Sequence, residues 1–406
     1  MIRALKYTLV KILKPLGILN LYHITLAFWG ALRYGFPSKK LKVVGVTGTK
    51  GKSTTLELMN AGLETAGKKT VMASSVRFKV GDKSRPNSTG NTMPGRGFLQ
   101  KLMADGVKMG CEYALLEVVS EGIMQHRHRF IDFDAAAFVN LHPEHIESHG
   151  GFENYRNAKL RFFKDTEKHS HKEDVRFFVN QDDENANYFI NAVDRESVVL
   201  TTKTSKELKM RGEFNLQNAG LAEAILHFLK VDDKDIEKAF REFAGVPGRM
   251  EVVQEKPFGV IVDYAHTPDS LEAVYTSVKK MFKGDLIGVL GSMGALGPLG
   301  GRDRWKRPKM GEIAGRYCRE VILTDEDPVD EDPTQILEEI EVGIGNKHKV
   351  RKILDRRQAI GVALDLAKKG DVVVITGKGS EPYIRVSRGK RIPWSDVGVV
   401  KELLKK

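Results

Sequence analysis

The residues best suited to chemistry stand together near the start of the chain, in Gly45-Val46-Thr47-Gly48-Thr49-Lys50-Gly51-Lys52-Ser53. Glycines permit a tight backbone turn, so that successive N–H groups and a helix N-terminus can surround phosphate oxygens. In such a loop Lys52 reaches the β- and γ-phosphates of ATP, and the Ser53 hydroxyl serves a Mg²⁺ ion. A strict phosphate loop carries glycine at position 46; here Val46 stands there and Gly45 comes one place early. The competing reading, a glycine-rich turn with a surface lysine, fits the flanking strand and helix patterns poorly.

Glu117 ends an apolar run, where a carboxylate is costly unless it meets a cation. At the carboxyl edge of a parallel sheet beside a phosphate loop, Mg²⁺ is the natural partner. Otherwise Glu117 is a strand-end carboxylate in water. His142, His145 and His149 invite a zinc reading, but they come without cysteine, and it is set aside. Asn215 and Asn218, three apart, share a helix face, and Asn215 also suits a helix N-cap. Gly245, Pro247 and Gly248 cluster at a boundary. Just beyond it, Arg249 and His266 are placed to reach back to a nucleotide if two domains close, with Asp263 orienting their loop. Closure of that kind excludes water from a hydrolysable intermediate.

The elements that must position these residues alternate along the chain. Leu41–Thr47, Ala114–Val119, Ala135–Asn140 and Arg176–Asn180 read as strands. Ser53–Ala66, Phe98–Val107 and Glu153–Lys164 read as helices between them. Asn215–Leu229 and Asp232–Phe243 read as two helices that close the unit. The alternation restarts with strands at Gly259–Asp263, Leu286–Leu290, Glu320–Thr324 and Val372–Thr376. Helices at Ser270–Phe282, Pro308–Tyr317, Thr334–Ile344 and Arg356–Lys368 separate these. The fold class is α/β: a phosphate-loop parallel-sheet domain over 41–245, then a smaller Rossmann-like α/β domain over 246–406. Residues 1–40 form a separate basic amphipathic segment.

The chain has 406 residues, 41% hydrophobic and 29% charged, and a formal charge of +12. This is a globular composition in which a basic balance favours anionic partners. Without zinc-finger spacing or an aromatic-and-basic RNA signature, nucleotide-sugar substrates fit the charge better than nucleic acid. Two cysteines, Cys111 and Cys318, exclude a disulfide framework and point to a reducing cytosol. Between Lys14 and Arg33 there is no Asp, Glu, Lys or Arg, but Pro15, Gly17, Asn20 and His23 dilute the run below a membrane span. Two readings stay open: a helix packed on the main domain, or one lying on an acidic membrane surface through Arg3, Lys6, Lys11, Lys14, Lys39 and Lys40.

The shifted loop Thr47-Gly48-Thr49-x-Gly51-Lys52-Ser53 resembles that of the Mur ligases and folylpolyglutamate synthetases, and the resemblance continues in order. Leu116-Glu117-Val118-Val119-Ser120 with Gln125-His126-Arg127 is similar to the family's tripeptide-synthetase branch. So are Asn140-Leu141-His142-Pro143-Glu144-His145, Ala158-Lys159, Gly212-Glu213-Phe214-Asn215 with Asn218, Gly248-Arg249-Met250-Glu251 and Asp263-Tyr264-Ala265-His266-Thr267-Pro268-Asp269. Gly301-Arg302-Asp303 and Gly377-Lys378-Gly379 with Glu381 complete a match over residues 41–406.

This resemblance implies an ATP-dependent, ADP-forming ligase that adds a diamino acid to a UDP-N-acetylmuramoyl dipeptide through an acyl phosphate, in peptidoglycan precursor synthesis. It implies catalytic roles for Lys52, Glu117, His145 and Lys159. It also implies two Mg²⁺ sites drawing on Ser53, Glu117, His145 and a Lys159 that carries CO₂ as a carbamate; His142 and His149 are then structural. ATP falls to Gly48, Thr49, Gly51, Lys52, Ser53, Thr54, Asn215, Asn218, Arg249, Asp263 and His266. Thr92, Ser120, Gln125 and Arg127 match acceptor-binding positions, and Arg302, Asp327 and Glu381 positions near the incoming amino acid. A monomeric cytoplasmic enzyme is the expected form, with both readings of residues 1–40 still open.

Three departures bear on specificity. Only about forty residues precede the loop, so a shortened form without the usual uridine-binding domain is expected. Glu121 follows Ser120 where the branch shows histidine. Val329, in Asp325-Glu326-Asp327-Pro328-Val329, stands where diaminopimelate-adding enzymes carry an arginine, which favours lysine or another amino acid. Alternatives are a Mur-like ligase with a pseudomurein or folylpolyglutamate acceptor, and an inactive ATP-binding membrane subunit.

Overall fold

A computed structural model describes residues 18–95, 97–144, 149–294, 303–345 and 349–405. His145 and Arg302, together with the N-terminal segment up to residue 17, lie outside the described residues. The chain forms two compact units.

The first unit takes in the described residues up to Leu141, with Glu153–Lys209 and Asn215–Phe243. It opens on helix α1 (Ile18–Arg33). Its strands are β1 (Lys42–Thr47), β2 (Thr70–Ala73), β3 (Arg77–Val80), β4 (Lys83–Pro86), β5 (Tyr113–Glu117), β6 (Ala135–Phe138), β7 (Arg176–Asn180) and β8 (Val198–Thr201), in the order β4-β3-β2-β5-β1-β6-β7-β8. From β2 to β8 neighbours run parallel, while β2–β3 and β3–β4 pair antiparallel at one edge. The antiparallel edge departs from the wholly parallel sheet expected. Its strands are four residues each, too short for an alternating pattern to stand out.

Helix α2 (Lys52–Thr65) follows the loop after β1. Its apolar residues join Val44, Val46, Phe178, Ala219, Leu226 and Phe240 in one core. Across the sheet an aromatic layer forms, with Phe133 against Phe162 and Phe138 stacked on Phe189 at 3.7 Å. That layer accounts for Gly45. The residue lies within β1, where a Cβ would come 2.5 Å from Phe162 and 2.8 Å from Phe133. Gly45 is therefore a packing glycine and not a displaced member of the phosphate loop.

The second unit comprises His142–Phe152, Met210–Phe214 and Ala244–Lys406. Its main sheet contains β9 (Glu251–Gln254), β10 (Gly259–Val262), β11 (Leu286–Leu290), β12 (Cys318–Leu323), β13 (Lys349–Lys352) and β14 (Val372–Ile375), in the order β13-β12-β11-β14-β10-β9. All pairs are parallel except β10 with edge strand β9. β10, β11 and β14 are buried throughout, and separate apolar clusters cover the two faces. This is why these strands read as continuous Val/Ile/Leu runs.

Candidate functional site

In the first unit β1 lies between β5 and β6, with Val46 opposite Glu117 and Thr47 opposite Phe138. The carboxyl ends of three strands therefore deliver the Gly48–Lys52 loop, Glu117 and Asn140 to one sheet edge, where open α/β sheets bind ligands. Gly48 (φ 150°) and Gly51 (φ 79°) take backbone conformations that side chains resist. A Cβ on Gly51 would also overlap Asn218 Oδ1. Asn140 fixes the turn: its Oδ1 accepts from the N–H groups of Thr49 at 3.2 Å and Lys50 at 2.8 Å. Thr49 Oγ1 meets the Tyr155 hydroxyl at 3.2 Å.

Lys52 opens α2 and folds its Nζ back onto the carbonyls of Gly48 (3.0 Å) and Thr49 (2.9 Å), 3.8 Å from Glu117 Oε1. Ser53 Oγ donates to Glu117 Oε2 at 2.8 Å, and Ser75 N–H donates to the same oxygen. Glu117 is 4% exposed, so a hydroxyl and a carboxylate oxygen, both hard donors of the kind Mg²⁺ takes, converge in a nearly dry place. A nucleotide's phosphates fit the loop, and a magnesium ion fits this donor pair. Lys159, 1% exposed, reaches in from the helix Phe152–His169 and donates to Gly48 O at 2.7 Å, with its amine 4.6 Å from the Tyr155 ring centroid. Thr54 is buried in the first turn of α2, and Asn218 Nδ2 donates to Asn215 Oδ1 at 3.3 Å.

Of the residues expected to bind the acceptor, Arg127 and Gln125 meet each other beside the segment that carries Thr92. Arg127 donates to Asn91 Oδ1 at 3.1 Å, to Met93 O, and to Gln125 Oε1 at 2.6 Å, bracketing Thr92. Ser120 is buried at the start of a short helix. Between them His126, at φ 54°, accepts from Arg161 at 3.1 Å. Burial first, and the Arg161 charge second, push its pKa down to about 4, so the ring is neutral at physiological pH.

In the second unit the expected residues line the carboxyl ends of β10, β12 and β14. Asp263 accepts from Met250 N–H at 2.7 Å and Ala265 N–H at 2.6 Å. It thereby ties the Gly248–Met250 turn to the loop after β10. Arg249 stacks on the Tyr264 ring at 4.1 Å. His266 Nδ1 meets Tyr264 O at 2.8 Å and its Nε2 meets Glu144 Oε1 at 3.1 Å. Both partners are acceptors, so the two contacts hold together only when the ring carries both protons or Glu144 carries one. Asp327 pairs with Lys378 at 2.7 Å, both fully buried, and Lys378 also contacts Glu381. Arg385 N–H donates to Asp327 at 2.8 Å. Glu326 lies in the same layer, where burial raises its carboxyl to about 7. Val329 is buried at φ 55°, its N–H on Arg385 O.

Family models for the Mur ligase middle domain and for the Mur ligase glutamate ligase domain match residues 46–241 and 248–379. The UDP-N-acetylmuramoyl-L-alanyl-D-glutamate–2,6-diaminopimelate ligase of Aquifex aeolicus is 35% identical, over 91% of this chain and 79% of its own length. The chain belongs to the Mur ligase family. The UDP-N-acetylmuramyl-tripeptide synthetase of a Roseiflexus species is 33% identical, over 94% of this chain and 82% of its own. A solved structure of a diaminopimelate-adding ligase aligns with TM-score 0.59 and 28% identity, over 90% of this chain and 78% of that one.

This Mur ligase is thus an ATP-dependent, ADP-forming amide ligase. Several of the residues that shape its sites carried no assigned role in the sequence. Asn140 stood in a recognisable segment, but nothing in a linear reading shows an amide holding a loop ninety residues away. Ser75 and Tyr155 gave no signal at all, because a lone serine in a turn and a tyrosine on a helix are ordinary residues.

Proposed function

We propose that this Mur ligase joins a free diamino acid to a UDP-N-acetylmuramoyl dipeptide in peptidoglycan precursor synthesis. The observation that carries the reading is the Ser53–Glu117 pair beside Lys52 and Lys159, in a chain similar over most of its length to tripeptide-forming ligases. The acceptor carboxylate attacks the γ-phosphate of ATP, giving an acyl phosphate and ADP, and the incoming amine then displaces phosphate. Positioning and charge neutralisation dominate such chemistry. Lys52 neutralises the charge that grows on the transferred group, and the loop N–H groups orient the phosphates. Magnesium would be held by Ser53 and Glu117, and in a second place by His145 with a Lys159 that carries CO₂ as a carbamate; its contribution is charge neutralisation at the phosphates. Burial of Lys159 beside Gly48 supports that placement, because a carbamate there lies against the phosphate loop.

Asn215, Asn218, Arg249, Asp263 and His266 are assigned to the nucleotide, and Thr92, Ser120, Gln125 and Arg127 to the acceptor. Arg302, Asp327 and Glu381 are assigned to the incoming amino acid. We infer lysine ahead of diaminopimelate: Val329 offers no cation for a distal carboxylate, and Arg385 is engaged with Asp327 and Glu381. The enzyme is read as a cytoplasmic monomer.

The test mixes purified protein with ATP, Mg²⁺, UDP-N-acetylmuramoyl-L-Ala-D-Glu and a panel of amino acids, following phosphate release and product mass together. A product heavier by one lysine supports the whole reading. A diaminopimelate product retains the ligase and overturns the lysine assignment. ATP turnover with no product from any amino acid sinks the muramoyl acceptor.

A further inference from the structure

Helix α1 turns its apolar side outward. Ile18, Leu21, Tyr22, Phe28, Trp29 and Leu32 fall on one face of the helix, on either side of Thr25, and are all exposed, Leu21 by 67% and Trp29 by 59%. Such a stripe normally faces a core. Here the helix is anchored by its other side: Gly30 and Ala31 are buried, and Gly30 lies so near Gly97 that a Cβ would come 2.7 Å from its Cα. Phe28 keeps one edge on Phe130 at 5.4 Å. The stripe runs along a helix about 24 Å long.

The charge around it has one sign. Residues 1–40 contain Arg3, Lys6, Lys11, Lys14, Arg33, Lys39 and Lys40 and no acidic residue. Of these, Arg33, Lys39 and Lys40 are exposed at the C-terminal end of α1 and in the turn after it. Among the described residues no helix is long and apolar enough to cross a membrane. An apolar stripe bearing Trp and Tyr, flanked by cations alone, matches a bilayer interface with anionic headgroups on both counts. We propose that α1 lies in the headgroup region of an anionic phospholipid membrane and holds the ligase at that surface. Leu21 and Trp29 enter the acyl boundary, and Arg33, Lys39 and Lys40 remain among the phosphates.

The experiment is co-sedimentation of the full chain with vesicles of equal parts phosphatidylglycerol and phosphatidylcholine, and with vesicles of phosphatidylcholine alone, at low and high salt. The expected result is binding to the first, weakened by salt, and little to the second. The paired change Leu21→Glu/Trp29→Glu is expected to weaken binding by roughly tenfold or more, and Lys39→Glu/Lys40→Glu to weaken it and reduce its salt dependence. Both variants should keep the thermal transition of the unaltered chain, because all four residues are exposed. Failure to sediment with the anionic vesicles, or equal binding to both kinds, overturns the proposal. So does a lipid-independent dimer in light scattering that Trp29→Glu converts to monomer, since a second copy would then cover the stripe.

Discussion

At the scale of single residues, the first site depends on charge held in little water. Lys52 and Glu117 are 3.8 Å apart, and Ser53 bridges to the carboxylate. Lys52→Ala is expected to lower the rate of ADP release by about a thousandfold, with an unchanged far-UV circular dichroism spectrum. Glu117→Ala should do the same. Near-normal turnover in either folded variant would remove that residue from the site. Both were legible in the sequence, because a lysine closing a glycine loop and a carboxylate ending an apolar strand are each unusual enough to need a reason. Asn140 was not, since an asparagine after a strand is common and its partners lie far off in sequence.

At the scale of elements, the loop between β1 and α2 works only in one conformation. Asn140→Ala strips the side-chain acceptor from Lys50 N–H, while Thr49 N–H keeps the Asn140 backbone carbonyl at 2.9 Å. The expected cost is about 1–3 kcal/mol, and the KM for ATP should rise with a smaller effect on kcat. Gly51→Ala meets two obstacles, a φ of 79° and the Asn218 side chain. Isothermal titration should show that this variant no longer binds ATP measurably. If it binds normally, the loop is more plastic than this geometry allows. The strand and helix bounds of both sheets were readable to within a few residues from periodicity. Strands β2 to β4, β8, β9 and β13 were not, for each spans only four residues, too few for a period to stand out, and only β4, at the outer edge, is exposed throughout.

At the scale of the whole molecule, two buried groups tie stability to pH in opposite directions. The fold refuses His126 a proton until about pH 4, whereas the unfolded chain accepts one near 6.5. Its contribution is therefore complete above 6.5 and is lost as pH falls from there to about 4. His126→Asn, which tolerates the positive φ, should flatten that acid limb in urea titrations run across the range. Glu326 keeps its proton to about pH 7, while the unfolded chain releases it near 4.5. Its contribution favours the fold at low pH and is lost as pH rises from 4.5 through 7. Glu326→Gln should then gain about 1–3 kcal/mol over the parent at pH 8 and little at pH 4. An unchanged urea midpoint at pH 8 would show that the carboxylate is compensated when charged.

The sequence by itself determined the α/β class, the order of most of its elements, the phosphate loop and the family. Each of these is written in local spacing: period-two and period-3.6 patterns, glycines at turns, and charged residues at strand ends. Only the tertiary structure decided which residues meet. It placed β1 between β5 and β6, so that Glu117 and Asn140 flank the loop. It also gave Gly45 to aromatic packing and left the apolar stripe of α1 facing outward. Strand order and helix orientation follow from burial summed over the whole chain, and no local segment carries that sum.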